Sequence, residues 1–158
     1  DILNFCDYID KLLQKRITKE SKTFKPFLNH SDLLRQANIA LRQGQEGYSI
    51  QLCDSAVEAF LKEMFDVPST IIGPGTVKFL SECIAAGIPA GMDLYLKEVK
   101  NKVCQMDNQI KHKGYIPSRL DAINALKATE ELFMKKDRFS SSSTEEKTKI
   151  HIGIGLIK

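Results

Sequence analysis

Apolar residues return every three or four positions over most of this chain, and each run of that spacing predicts an amphipathic helix. Residues 1–20 carry Ile2, Leu3, Cys6, Ile9, Leu12 and Leu13 in such steps. Pro26 interrupts the pattern, and Ser31 is the expected N-cap of a second helix whose face is Leu33, Leu34, Ala37, Ala40 and Leu41. After a turn at Gly44 and Gly47, residues 46–65 form a strong helix with Ile50, Cys53, Val57, Phe60, Leu61 and Met64 on one stripe. The short link makes these two helices antiparallel neighbours.

Breakers crowd residues 66–75, "DVPSTIIGPG", which read as a loop. A helix follows over 76–86, closed by Gly87, and another over 90–113 through Leu94, Leu96, Val99, Val103, Met106 and Ile110. Gly114 suits the left-handed cap of that helix. Pro117 and Ser118 open a last helix reaching residue 137, with Ser118-x-x-Asp121 as a capping box. Its expected core face is Leu120, Ile123, Leu126 and Phe133, while Ala122, Ala125 and Ala128 leave room for a close neighbour. Residues 140–149, "SSSSTEEKTK", read as a polar linker. Ile150, Ile152, Ile154 and Leu156 then alternate with His151, Gly153 and Gly155, the period of a strand that needs a partner sheet. The expected fold is all-α: an antiparallel bundle of four to five helices over 31–139. It is preceded by a helix and arm over 1–30 and followed by a linker and β-like tail over 140–158.

Composition narrows function only a little. The 158 residues are 42% hydrophobic and 27% charged, ordinary proportions for a globular domain that buries a core without staples. A net charge of +3 is too small to mark a nucleic-acid binder by itself. Cys6, Cys53, Cys83 and Cys104 are scattered through apolar patterns with no metal-ligand spacing, so buried thiols in a reducing, cytoplasmic setting are expected, with no metal and no cofactor. No apolar run is long enough to span a membrane.

Candidate chemistry gathers at 107–122, "DNQIKHKGYIPSRLDA", where His112 stands among Lys111 and Lys113 before Gly114. Cations in a last helical turn meet the negative end of the helix dipole, so finishing the helix is one role for all three. His30 reads as a loop residue and His151 as a solvent-facing residue of the tail. "IIGPGTVK" lacks the Gly-Lys-Ser/Thr ending of a phosphate loop and is a turn. Lys97, Lys100 and Lys102, mixed with Glu98, form a solvated helix face.

The order of these features resembles the HEPN domains (higher eukaryotes and prokaryotes nucleotide-binding). "LLRQANIALRQGQEGYSIQLCDSAVEAFLKEMF" (33–65) is similar to the family's first helix pair. "NQIKHKGYIPSRLDAINALKATEELF" (108–133) is similar to its closing segment, a polar motif ending in His, a Gly-Tyr-x-Pro turn and an alanine-rich helix. The resemblance implies a homodimer. In the family's catalytic version it also implies metal-independent RNA cleavage, with His moving a proton and an Arg, separated from it by four to six residues, holding the phosphate. Asn108 and His112 are present, but Gln105, Met106 and Asp107 occupy the positions allowed for that Arg, and Asp107 would repel phosphate.

These readings set the expectations. The chain is a dimeric binding or assembly module, degenerate as a nuclease, in which Asn108, Lys111, His112, Lys113 and Tyr115 contact a nucleotide or another anionic ligand. One alternative is an endoribonuclease in which His112 is catalytic and a Lys replaces the Arg, with RNA as partner. The other is a structural interaction domain tied to a larger chain through its 150–157 strand. Arg119, past the turn, is within possible reach of the site.

Overall fold

A computed structural model describes residues 28–71, 73 and 75–157, and among these every regular element is helical. The helix expected over residues 1–20 lies outside the described residues. Helix α1 spans His30–Arg42 and α2 Glu46–Met64; α3 is Thr76–Ala86, closed by Gly87 in the left-handed region (φ 67°). Helix α4, Asp93–Val99, runs through a π-helical turn at Lys100–Cys104 into α5, Gln105–Lys113. Helix α6 is Arg119–Phe133, α7 the short Lys136–Ser140 and α8 Thr144–Gly153. The all-helical bundle expected from periodicity is therefore present.

Aromatic rings fill its centre. Phe60 stacks on Phe133 at 4.7 Å between centroids, and Phe139 meets Phe60 edge-on at 5.1 Å. Helices α1 and α2 are pinned where Ser49 Oγ donates to the Ala37 carbonyl at 2.8 Å, a buried bond that satisfies both groups. Cys53, Cys83 and Cys104 are buried as expected.

Four local expectations are corrected. Asn29, not Ser31, caps α1: its side chain accepts from the Asp32 amide at 2.8 Å. His30 is consequently in the helix rather than in a loop. It is buried, bonded through Nδ1 to Glu63 and set edge-on against Phe60 and Phe133. Leu120 and Ile123 are not core: they are 64% and 42% exposed, and α6 buries Ala122, Ala125, Leu126, Ala128, Thr129 and Leu132 instead. The alanines allow α6 to lie close on α2, and Leu120 and Ile123 fall on the opposite arc of the helix.

The tail differs most. Residues 144–153 are a helix, and neither the linker nor the strand is found. Ser143 accepts from the Glu146 amide while the Glu146 carboxylate accepts from the Ser143 amide, a complete capping box inside what looked like a polar spacer. The buried residues are Ile150 and Ile154, four apart, while Ile152 is 53% exposed. Lys147 Nζ reaches Asp66 at 2.9 Å, and His151 Nε2 lies 2.5 Å from the Phe65 carbonyl, so His151 is engaged with the bundle rather than solvent-facing. With no strand there is no edge to pair with a partner sheet, and that partner expectation falls. Helical burial predicts that Ile150→Ala costs about 2–4 kcal/mol of stability and Ile152→Ala less than about 1. Urea denaturation of both variants checks it; equal losses would restore the strand.

Candidate functional site

The π-turn decides what the end of α5 can do. Its wider winding shifts the buried face by about one residue, so Val103 and Cys104 both face the core and Asp107, one turn on, follows them inside. Asp107 is 0% exposed. It meets Asp54 of α2, a residue that sequence reading passed over. The signal was present: Asp54 lies four after Ile50 and three before Val57, on the apolar stripe itself. A carboxylate on such a stripe needs a partner inside.

Neither Asp54 Oδ1 nor either Asp107 oxygen receives a hydrogen bond in good alignment. Lys111 Nζ stands 2.9 Å from Asp107 Oδ2 as an ion pair without that alignment, half exposed at the rim. Two ionised carboxylates only accept, so they can bond to each other only by holding a proton between them. Burial, then the bond to Asp107, pushes the Asp54 carboxyl up to about 7, while the Cys104 thiol and Lys111 oppose that rise. Burial also pushes the Cys53 thiol up to about 12 and that of Cys104 well above its ordinary value, so neither is a nucleophile.

Beyond this pair the chain turns at Gly114 (φ 64°). The Gly114 and Tyr115 amides both donate to the Gln109 carbonyl, closing α5 as expected. Tyr115 Oη donates to Asp121 Oδ2 at 2.8 Å, and the Ser118 amide donates to the same oxygen at 2.9 Å. The Ser118 amide, then Tyr115, holds the Asp121 carboxyl low. Pro117 closes on Gly47, where a Cβ would lie 3.8 Å from the proline Cγ. Arg119 Nη1 donates to the Leu41 carbonyl at 3.3 Å, so this guanidinium serves the α1–α2 turn and not His112.

Of the expected site residues, Asn108, Lys111, His112, Lys113 and Tyr115 are all exposed at one end of α5 and its corner. They do not share one set of duties. Lys111 is engaged by Asp107, and the Tyr115 hydroxyl by Asp121. His112 and Lys113 extend from a helix C-terminus, whose partial negative charge suits cations but opposes an arriving anion. Among the described residues no group of three or more His, Cys, Asp or Glu could hold a metal ion. No described helix is long and apolar enough to cross a membrane.

No family model, curated protein or solved structure matches the chain.

The shared proton makes a signed prediction. Asp54 binds its proton more tightly folded than unfolded, so its contribution to stability is complete below the ordinary carboxyl range and is lost as pH rises toward about 7. The loss is on the order of 2–4 kcal/mol. Asp54→Asn keeps a donor toward Asp107 at every pH, so its stability curve should be flatter between pH 4 and 8. Denaturation across that range reads the difference; parallel curves would remove the shared proton.

Proposed function

We propose that this chain is a HEPN-like binding and assembly module that works as a homodimer and does not cut RNA. The observation that carries this reading is the placement of Asp107. Of the three positions at which the resemblance allows a phosphate-holding arginine, two carry the uncharged Gln105 and Met106 and the third a carboxyl, Asp107, fully enclosed by the bundle. It can neither reach nor attract a phosphate. Lys111, the nearest replacement cation, is tied to that same carboxyl. His112 is thus left without the partner that would stabilise charge building on a phosphate.

Support for assembly comes from the surface that follows the corner. Ile116 is 88% exposed, Leu120 64%, Ile123 42% and Tyr115 41%. Exposed apolar residues of this size close together along the chain are the mark of a contact site.

A second reading, anionic-ligand binding at the α5 end, is favoured by the joint exposure of Asn108, His112 and Lys113. Of the five expected residues these form no side-chain hydrogen bond or ion pair with another described residue, so a nucleotide would rest on them. A cytoplasmic setting suits both readings.

Two measurements on the 158-residue chain separate the possibilities. RNA incubated with it in chelator should stay intact; cyclic-phosphate ends that vanish in His112→Ala would establish the nuclease instead. Calorimetric titration with a nucleoside triphosphate should show binding weakened at least about fivefold by Lys113→Ala if the charge of that lysine contributes directly. Absence of heat at millimolar nucleotide would end the ligand reading and leave assembly alone.

A further inference from the structure

The outward face of α6 has an order that its exposure alone does not explain. Leu120, Ile123, Lys127, Glu130 and Met134 fall within an arc of about 80° around the helix, opposite the alanine face that packs on α2. All five are exposed, Met134 by 82%. The stripe reads apolar, cation, anion, apolar from Ile123 to Met134. Neither Lys127 nor Glu130 forms an ion pair with another described residue.

Such an order is its own complement when reversed. We infer that the partner of this face is a second copy of the chain, with two α6 helices antiparallel about a two-fold axis between residues 128 and 129. In that register Ile123 of one copy faces Met134 of the other, and Lys127 faces Glu130, each contact occurring twice. Charge selects the register. Centring the axis on residue 127 or 130 would set like charges face to face, as would a parallel pairing. The inference rests on the assembly reading above and gives it a geometry.

The geometry has a functional consequence. Antiparallel pairing centred there places the two Leu120 residues about 26 Å apart along the helices. The two α5 ends therefore lie at opposite ends of the dimer, and their His112 residues do not form one composite site. Each corner acts alone, which accords with a module that has no shared phosphate-cutting centre.

Charge reversal across the axis tests this. Sedimentation equilibrium of the 158-residue chain is run up to about 200 µM, well above the roughly micromolar Kd expected of a single-helix interface. Wild type should be dimeric. Lys127→Glu and Glu130→Lys should each weaken the dimer roughly tenfold, because each sets like charges opposite in both symmetric contacts. The double variant Lys127→Glu/Glu130→Lys should return to within about threefold of wild type. Circular dichroism confirms that helix content is unchanged. A wild-type dimer indifferent to either reversal, or not rescued by the double change, overturns this register while leaving assembly standing. A wild-type monomer throughout overturns both.

Discussion

Two carboxyl groups meet inside this bundle, and the rest of its functional surface follows from how they are accommodated. Asp54 on α2 and Asp107 on α5 are brought together where the π-turn rotates α5 inward. Two neighbouring carboxylates repel inside a bundle, and burial favours the state in which Asp54 keeps its proton. Asp107 in turn holds Lys111 at the rim, 2.9 Å from its Oδ2. The polar end of α5 is organised around an internal demand before any ligand is considered.

The corner after α5 carries the consequence outward. Gly114 reverses the chain, Tyr115 and Ser118 converge on Asp121, and Pro117 seats against Gly47. These contacts fix the start of α6, and the alanine face of α6 then settles on α2. Ile116, Leu120 and Ile123 are turned to the outside by the same step. A helix that displays Leu120, Ile123 and Met134 on the face away from the bundle is built to meet something else, and the reversed charge order along it points to another copy of itself.

Much of this was legible in the sequence, and the gaps have physical causes. Helix positions, the Gly114 cap and the Ser118–Asp121 box follow from spacing and capping chemistry, which act within a few residues. The tail misled because Ile150, Ile152, Ile154 and Leu156 satisfy a period of two, while only the four-residue step from Ile150 to Ile154 is buried. The Ser143–Glu146 box was the local signal that outranked the alternation. Leu120 and Ile123 misled in the opposite way: their size suggested core, but α6 turns inward the opposite arc, with Ala122, Ala125, Leu126, Ala128, Thr129 and Leu132. The π-turn has no signature in the periodicity, so the burial of Asp107 and its meeting with Asp54 could be suspected from the stripe around Asp54 but not located.

The most direct test is a carbon-13 NMR titration of the aspartate side-chain carboxyls. The account predicts that the Asp54 carboxyl takes up its proton near pH 7, well above the ordinary carboxyl range. If Asp54 instead titrates in the ordinary carboxyl range, at about pH 4, it keeps no proton beside Asp107 and the organising contact of this structure is wrong.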